Sequence, residues 1–434
     1  MTNRPENLWW ATASAGEAVP AQTALDHDCR CDVVVIGGGI MGTAAAARLA
    51  RDGTNVVLLE ADRIGSGASS TPGGFVVPHF SVGSPREIIA RTGETGAGIV
   101  DLVGRSANML FVRIRELGLE CDARQDGWYH PATPAAVPRL ERLMDEWCEA
   151  GFDCEHLNAQ DTAQRTGVEG YAASWYAPSG GTLHPLRLCR ELVRTAREAG
   201  ARIFENSPVQ RIEKMGTGYR VSTAQGSVLA EKVLVCTNGL SSGISEGLVP
   251  PLTRTLIPMR VWQCATEPIP AADRQHLFQG GECLSDTRRN LFTYRFDIEN
   301  RLITGTFDAF GVDASRAARI MSARLGTMLR LPKPPGITHI WTGTSSISAD
   351  RLPISMVVDE GVLAASSCNA RGIALSFVVG EALASHARGD GVQDFPVLDT
   401  NRRTTASLQS RLSRFYAHFT PLLDWYEERR ARNR

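Results

Sequence analysis

A glycine-rich segment near the start of the chain lies between two short apolar runs. Residues 31–36 and 55–59 are rich in β-branched and aliphatic side chains, which predicts two buried parallel strands. Between them, the alanine-rich stretch 43–50 predicts a helix that packs closely on a sheet, and it follows the pattern Gly37-x-Gly39-x-x-Gly42. Strand, helix and strand within about 30 residues form a β-α-β unit.

The glycine spacing predicts a dinucleotide-binding turn. Gly37 allows a tight turn, Gly39 lets the backbone approach a pyrophosphate at the helix N-terminus, and Gly42 permits close contact of helix and strand. Glu60 ends the second strand, 18 residues after the last glycine, and can accept hydrogen bonds from ribose hydroxyls. A carboxylate at this position repels a 2′-phosphate, so the unit predicts FAD or NAD rather than NADP.

Two later segments repeat the order of apolar strand and glycine-bearing turn. They are residues 233–239 and 362–372. If all three segments meet one ligand, that ligand is elongated, and this favours FAD over NAD. An NAD-dependent dehydrogenase stays open as an alternative.

Composition excludes several classes of protein. Hydrophobic residues are 43% and charged residues 21%, as in an ordinary globular chain. The formal net charge of −1 gives no reason to expect a nucleic-acid partner.

The ten scattered cysteines predict reduced thiols, and no HExxH motif or clustered Cys/His set predicts a metal site. Residues 1–24 lack the basic start and apolar core of a signal peptide, so a cytoplasmic location is expected.

The remaining pattern predicts a two-domain α/β protein. Residues 202–236 predict a β-meander attached to a larger sheet, and the strand-rich stretch 255–347 predicts an antiparallel sheet. We therefore expect a discontinuous, Rossmann-like FAD-binding domain and an α+β substrate domain with an antiparallel sheet. The predicted divisions are an N-terminal extension at 1–29, the FAD-binding domain at 30–110, 180–245 and 340–390, the substrate domain at 111–179 and 246–339, and a C-terminal tail at 391–434.

The tail carries a basic and aromatic stretch at residues 411–434, with six arginines against three acids. Such a stretch can touch a membrane or a partner. We instead expect its aromatic side chains to pack on the domain while the charges stay in water.

These motifs carry a resemblance to a known family. The chain resembles the FAD-dependent amine and amino-acid oxidoreductases, the superfamily of D-amino-acid oxidase, glycine oxidase and sarcosine oxidase, and most of all its γ-glutamylputrescine oxidoreductase-like branch. Besides the Gly37–Gly42 fingerprint with Glu60, the matching pieces are Trp9-Trp10-Ala-Thr, Gly65-Ser-Gly-Ala-Ser69 with Gly73-Gly74, Gly181-Thr-Leu-His-Pro185, Thr293-Tyr-Arg295 with Arg301-Leu-Ile-Thr-Gly305, Trp341-Thr-Gly343 with Asp350-Arg-Leu-Pro353, and Cys368-Asn-Ala-Arg-Gly-Ile-Ala-Leu375.

The resemblance implies where FAD lies. It places Ala68, Ser69, Gly73 and Gly74 along the pyrophosphate and flavin, and Val209 at the adenine. Backbone N–H groups of Arg371, Gly372 and Ile373 are expected at the flavin N1–C2=O edge, where a helix N-terminus stabilises the anionic reduced flavin. Further cofactor contacts are expected at Ile40, Met41, Ala61, Gly67, Thr237, Asn238, Gly239 and Asn369.

Three departures from the family pattern modify these expectations. Ala370 stands where relatives commonly have glycine, so the local backbone conformation can differ from that of relatives. Residues 341–345 contain no cysteine, so FAD is expected to be bound non-covalently. Residues 301–304 contain no lysine of the kind that promotes reaction with oxygen in relatives. A dehydrogenase that passes electrons to a quinone or carrier therefore stays open beside an oxidase.

The implied reaction is oxidative deamination of a small amine or amino acid. Hydride passes from the amine-bearing carbon to flavin N5, which gives an imine and needs no dedicated general base. Substrate contacts are expected at Tyr294, Arg295, His79 and Trp341, with Arg295 holding a carboxylate. Arg295, His79 and Trp341 each also have a purely structural interpretation, and a non-catalytic flavoprotein is a further alternative.

Overall fold

The computed structural model describes residues 7–13, 23–239, 248–289, 292–308, 312–348 and 350–390, together with Leu423 and Tyr426. Most of the predicted tail and of the N-terminal extension lies outside these ranges. Within them, no helix combines the length and the apolar character that crossing a bilayer requires.

Helices and strands alternate along most of the chain. The helices are α1 (Leu8–Ala13), α2 (Ile40–Arg51), α3 (Pro85–Thr92), α4 (Glu94–Leu117), α5 (Val137–Glu149), α6 (Ala159–Thr166), α7 (Pro185–Glu198), α8 (Pro250–Thr255), α9 (Ala271–Arg274), α10 (Ala314–Met328) and α11 (Gly372–Arg388). The strands are β1 (Cys29–Ile36), β2 (Val56–Leu59), β3 (Phe75–Val76), β4 (Trp128–Ala132), β5 (Glu155–Asn158), β6 (Ala173–Ala177), β7 (Gly181–Thr182), β8 (Arg202–Phe204), β9 (Arg211–Met215), β10 (Gly218–Ser222), β11 (Ser227–Val235), β12 (Leu256–Pro268), β13 (Cys283–Ser285), β14 (Thr293–Phe296), β15 (Arg301–Phe307), β16 (Ile337–Ser348), β17 (Ile354–Asp359) and β18 (Val362–Ser366).

The first sheet confirms the predicted Rossmann-like unit. Its strand order is β17-β18-β11-β1-β2-β8, and the pairs from β18 to β8 are parallel. Strands β9 and β10 join it as an antiparallel meander through β11, as expected. Small side chains let α2 press on this sheet, since Ala44, Ala45 and Ala46 are almost completely buried.

The second sheet has the order β16-β12-β15-β14-β13-β4-β6-β5. All its pairs are antiparallel except β13 with β4. Strands β4, β5 and β6 lie outside the stretch 255–347 for which the sequence predicted the antiparallel sheet, because each has only four or five residues and β4 contains Pro131. The predicted domain division at residue 340 falls inside β16, which pairs wholly within this second sheet.

Three strands of the first sheet end at one edge, and this edge positions the site. Ile36 of β1 is paired with Val235 of β11, and Val235 with Ala364 of β18. Because parallel strands end at the same edge of a sheet, the turns that follow them lie side by side. They are the three glycine-bearing segments that the sequence singled out.

Candidate functional site

The turn after β1 requires its glycines. Gly37 has φ +107°, a conformation that L side chains rarely adopt, and its N–H donates to the carbonyl of Leu59 at 2.8 Å. A Cβ on Gly42 would lie 1.9 Å from the Gly37 carbonyl oxygen, so helix α2 approaches β1 as closely as the fingerprint predicts. A Cβ on Gly39 would come within 2.7 Å of Ser69 Oγ and would narrow the space above the helix N-terminus.

Glu60 lies at the end of β2 and faces this turn. Its Oε2 accepts from the Gly38 N–H at 2.6 Å, and its Oε1 accepts from the Asp62 N–H at 2.9 Å. Burial raises the pKa of the Glu60 carboxyl, while the two backbone donors act in the opposite direction. A carboxylate oxygen can accept more than one hydrogen bond, so Glu60 retains capacity for a ribose hydroxyl.

A cleft opens over these groups along the edge of the first sheet. Eleven of the residues expected at the cofactor line it: Gly37, Gly39, Ile40, Met41, Glu60, Ala61, Ala68, Ser69, Val209, Thr237 and Asn238. Six more lining residues were not predicted: Ile36, Leu59, Ser66, Ser207, Cys236 and Ser376. The strand ends among them could have been found from the β-α-β pattern, because the last residue of each parallel strand borders the same crevice.

A second cavity lies between the second sheet and the N-terminus of α11. It is lined by Pro72, Gly73, Phe75, Val77, Val261, Gln263, Ser285, Thr293, Gly305, Thr306, Phe307, Ala370, Arg371, Gly372 and Ile373. The two spaces share walls. The segment that begins with the 3-10 turn Gly67–Ser70 borders the cleft at Ala68 and the cavity at Gly73, while α11 borders the cavity at Ile373 and the cleft at Ser376.

The chain from Ser70 to Gly73, between cleft and cavity, is held by four side chains. Four successive carbonyl oxygens each accept one hydrogen bond, and the donors come from widely separated parts of the chain. The pairs are Asn7 Nδ2 with Ser70 at 2.7 Å, Trp341 Nε1 with Thr71 at 3.0 Å, Trp9 Nε1 with Pro72 at 2.8 Å, and Arg295 Nε with Gly73 at 2.8 Å. We call this arrangement the carbonyl clamp.

Arg295 is committed to this clamp. Besides Gly73, its guanidinium donates to the carbonyls of Leu183 at 3.0 Å and Phe296 at 3.3 Å. Arg295 is buried, which lowers its pKa to about 10. It does not line the cavity that holds Gln263, and it borders instead a separate cavity beneath α1.

Tyr294 lies on the opposite face of β14 from Arg295. Successive residues of a strand point to opposite faces of its sheet, so the expectation that both contact one ligand is wrong. Tyr294 is fully buried among Phe278, Phe292 and Tyr171, and burial raises its pKa well above the ordinary value. The residue of β14 that reaches the Gln263 cavity is Thr293.

Trp341 and His79 are also buried, and each contacts a segment that lines the cavity. Trp341 belongs to the carbonyl clamp and packs edge-on against Trp9, with ring centroids 6.1 Å apart. His79 packs between Trp128 and Trp175, with centroid distances of 4.5 and 4.9 Å. Neither residue borders the cavity directly. Their direct contact with substrate, expected from the sequence, has no support in this geometry.

The turn between β18 and α11 is held in an unusual backbone conformation. Asn369 and Ala370 have φ values of +38° and +64°. Asn369 is fixed to the end of β16, because its N–H donates to the Ser346 carbonyl at 3.0 Å and its Oδ1 accepts from the Ser348 N–H at 2.8 Å. Ala370, which replaces the glycine of relatives, thus adopts a left-handed backbone conformation that favours glycine. The Arg371 backbone N–H, expected at the flavin edge, instead donates to the Cys368 carbonyl at 2.7 Å.

Three predicted glycines do not line the cleft or the cavity but shape the chain behind their walls. Gly239 packs against Ser346, since an added Cβ would lie 1.4 Å from Ser346 Oγ. Gly74 has φ +78° and leaves room for Arg295, whose Nη2 would lie 2.4 Å from an added Cβ. Gly67 begins the 3-10 turn with φ +67°.

Gln263 is a cavity residue that the sequence interpretation missed. Its side-chain oxygen is buried and has no hydrogen-bond partner among the described residues. The amide lies over Gly305 of the neighbouring strand, where an added Cβ would come within 2.4 Å of Gln263 Nε2. The alternation of side chains along β12 could have indicated which face of the sheet carries Gln263. That Gly305 lies opposite Gln263 follows only from the pairing of β12 with β15, which the sequence does not give.

The two connected spaces fit FAD. The cleft combines a helix N-terminus, a glycine turn and an acid, as a nucleotide diphosphate requires, and the cavity offers apolar walls with a few polar groups. A buried oxygen without a partner at Gln263 indicates that the cavity receives a hydrogen-bond donor.

Comparisons with known proteins agree with this geometry. A family model described as FAD dependent oxidoreductase matches residues 32–386. Gamma-glutamylputrescine oxidoreductase of Escherichia coli (strain K12) is 28% identical over 384 residues, which cover 87% of this chain and 88% of that protein. Glycine oxidase of Bacillus licheniformis is 28% identical over 221 residues, 49% of this chain and 55% of that enzyme.

Solved structures show the same fold. Glycine oxidase from Geobacillus kaustophilus superimposes with a TM-score of 0.72 at 22% identity, covering 86% of this chain and 99% of that one. A variant of L-amino acid deaminase from Proteus vulgaris gives a TM-score of 0.73 at 18% identity, covering 89% and 96%.

Proposed function

Because the chain belongs to the family of FAD-dependent oxidoreductases, we propose that it oxidises the C–N bond of a small amine or amino acid in the Gln263 cavity. The observation that carries this proposal is the shared wall between cleft and cavity. A single elongated cofactor held at Gly37 and Glu60 would pass Ala68 and Gly73 on its way to the cavity, because these residues border the cleft and the cavity in turn.

The cleft residues hold the nucleotide part of the cofactor. Glu60 would accept hydrogen bonds from the ribose hydroxyls, and the N-terminus of α2 would stabilise the pyrophosphate. The N-terminus of α11 lies at the cavity end, where Gly372 and Ile373 supply the positive end of a helix dipole. With residues 341–345 free of cysteine, FAD is held without a covalent bond to that segment.

Bound FAD would supply the oxidation: the amine-bearing carbon would lose a hydride to the flavin and its nitrogen would lose a proton, which leaves an imine that water hydrolyses. The protein's part is to position the substrate and exclude water. Phe75, Val261 and Phe307 give the cavity apolar walls, which favour an uncharged amine. The free oxygen of Gln263 accepts from the amine N–H and orients the C–H bond.

A second candidate concerns the electron acceptor. The chain contains three lysines in total, and Lys214, Lys232 and Lys333 all lie outside the cavity. No lysine is therefore available to promote the reaction of reduced flavin with oxygen. This favours a dehydrogenase that transfers electrons to a quinone or carrier over an oxidase. The cytoplasmic location stays a prediction.

One experiment tests the proposed function. The purified protein is titrated anaerobically with D- and L-amino acids, N-methyl amino acids, polyamines and polyamine derivatives while its flavin absorbance is followed. Bleaching by one class of compound supports the proposal. A colourless protein that takes up no added FAD, or a yellow one that no compound bleaches, contradicts it. Mixing the bleached protein with oxygen then separates oxidase from dehydrogenase by the rate at which the colour returns.

A further inference from the structure

Two cysteines outside the proposed site lie close together at the end of α5. Cys148 is exposed in the last turn of this helix, Cys154 is partly buried directly before β5, and both are free thiols. The chain between them turns sharply, because Gly151 has φ +92° and the Phe152 N–H donates back to the Trp147 carbonyl at 3.2 Å. Such a turn directs the chain away from the end of the helix and back along its side.

After this turn the chain runs back along α5. His156 of β5 shows this, since its Nε2 lies 3.5 Å from Oε1 of Glu141 in the first half of the helix. Glu141 and Cys148 are about two helical turns apart, so they share one face of α5. Cys154 and His156 are two positions apart in extended chain and likewise share one face. The antiparallel return therefore brings the Cys154 side chain next to Cys148.

The two neighbouring thiols have different surroundings. Burial, and then the Cys148 thiol beside it, raises the pKa of the Cys154 thiol, so Cys154 stays protonated at neutral pH. Cys154 also packs against the hydrophobic cluster that contains Trp147 and Trp175. Cys148 is open to solvent, so a dissolved reagent reaches it first. One thiol is therefore available for reaction from outside, while the other is held at its side.

We propose that Cys148 and Cys154 are a redox-sensitive pair that closes to a disulfide on reaction with a small-molecule disulfide, RSSR. The Cys148 thiolate attacks RSSR and forms a mixed disulfide, while one thiolate, RS⁻, leaves. The Cys154 sulfur then attacks the Cys148 sulfur, and the second RS⁻ leaves with the Cys154 proton as RSH. The protein loses two electrons, and RSSR is reduced to two thiols. The inference does not depend on the proposed function.

This cysteine pair lies at the outer end of an aromatic cluster. Trp147 packs on Phe80 with ring centroids 5.5 Å apart, and Trp175 packs on His79 at 4.9 Å. His79 Nε2 in turn lies 2.8 Å from Nη1 of Arg371, the residue that precedes α11. A disulfide would tie α5 to β5, the edge strand of the second sheet, and so fix the outer support of this cluster without entering the cavity.

The test follows one peptide. Trypsin cleaves after Arg142 and Arg165 but not between them, so it releases residues 143–165 with Cys148 and Cys154 as their only cysteines. The purified holoprotein is incubated with oxidised glutathione, its remaining thiols are alkylated, and the peptide mass is measured without a reducing agent. We expect a peptide that carries no alkyl group and lacks two hydrogen atoms. Treatment with dithiothreitol before alkylation should restore both alkylation sites.

Variants assign the two roles. Cys154→Ser should stop at the mixed disulfide and keep glutathione on Cys148. Cys148→Ser should slow the oxidation of Cys154 by about 10-fold or more, since that thiol is shielded and protonated. The control is Cys29→Ser, which removes another partly buried thiol, on β1 of the first sheet, and should leave closure unchanged. Flavin content and circular dichroism show that each variant is folded.

Three results overturn the inference. The first is a wild-type peptide that is alkylated at both cysteines after the incubation, and the second is one that keeps glutathione on Cys148 beside an alkylated Cys154. The third is oxidation of Cys154 at the same rate in the wild type and in Cys148→Ser, because the reaction would then not pass through Cys148. The measurement needs no turnover, so it is decided even if no amine bleaches the flavin.

Discussion

Trp9 donates its indole N–H to the carbonyl oxygen of Pro72 over 2.8 Å, and so joins the N-terminal helix to the wall of the proposed flavin site. Trp341, from the far end of the second sheet, makes the same kind of bond to the preceding carbonyl of Thr71 at 3.0 Å. These bonds fix the conformation of the segment, and its last two residues, Pro72 and Gly73, line the cavity. The carbonyl clamp is therefore a device that pre-organises a binding surface.

We predict that Trp9→Phe weakens FAD binding by about 2- to 10-fold, because it removes one hydrogen bond while the aromatic ring stays. The measurement is a fluorescence titration of the apoprotein with FAD. Trp147→Phe is the matched control, since the Trp147 indole nitrogen is buried without a partner in the described structure. Equal effects of the two substitutions would show that ring packing, rather than the bond to Pro72, matters.

The parts of the fold that follow local periodicity were predictable. Residues 31–60 contain every local signal of a nucleotide-binding unit, and the structure places β1, α2 and β2 there. The strand-rich stretch 255–347 likewise predicted the antiparallel strands, and it contains β12, β13, β14 and β15. In both cases the pattern is set by neighbours within one element, so no knowledge of tertiary contacts was needed.

The site residues that were missed depend on contacts between distant segments. The partners in the carbonyl clamp are separated by 63 positions for Trp9 with Pro72 and by 222 for Arg295 with Gly73. Whether Arg295 points to a ligand or to a carbonyl depends on where the other chain segment passes. The assignment of Tyr294 failed for a simpler reason, because strand alternation alone excludes it from the face that carries Arg295.

Ala370→Gly is expected to stabilise the folded protein by about 0.5–1 kcal/mol. The alanine has φ +64°, which costs an L residue about 1–2 kcal/mol, and the greater freedom of glycine in the unfolded chain offsets part of that gain. Urea unfolding followed by circular dichroism measures the change.

The control for Ala370 lies four residues further along. Ala374→Gly is a substitution of the same kind within α11, and it should destabilise by about 1 kcal/mol because glycine is a poor helix former. If both substitutions destabilise, Ala370 is not strained.

Gly42→Ala is expected to abolish FAD binding. The new Cβ would lie 1.9 Å from the Gly37 carbonyl oxygen, so either α2 or the glycine turn must move. We expect a protein without yellow colour, with flavin absorbance after gel filtration as the measurement. Gly98→Ala is the control, because that helical position in α4 has nothing within 4 Å and should gain about 0.5–1 kcal/mol of stability. A yellow Gly42→Ala protein would refute the close-contact argument.

Buried neutral histidines should make the protein sensitive to acid. Burial is the main cause that lowers the pKa values of His130 and His184 to about 3, and that of His79 moves in the same direction. In the unfolded chain these rings have pKa values of about 6.5. Between pH 6.5 and about 3 the unfolded state therefore binds more protons than the folded state, and stability falls as the pH falls.

The expected size of this effect follows from the proton count. Each such histidine contributes about 1.4 kcal/mol per pH unit in this window, so His79, His130 and His184 together give a slope of about 4 kcal/mol per unit. Urea unfolding at several pH values measures the slope, and His130→Asn should reduce it by about 1.4 kcal/mol per unit. Trp128→Phe, which removes packing beside His130 but no titratable group, should lower stability at every pH and leave the slope as it is. A free energy of unfolding that stays constant between pH 6.5 and 4.5 would mean that these rings already carry protons in the folded protein.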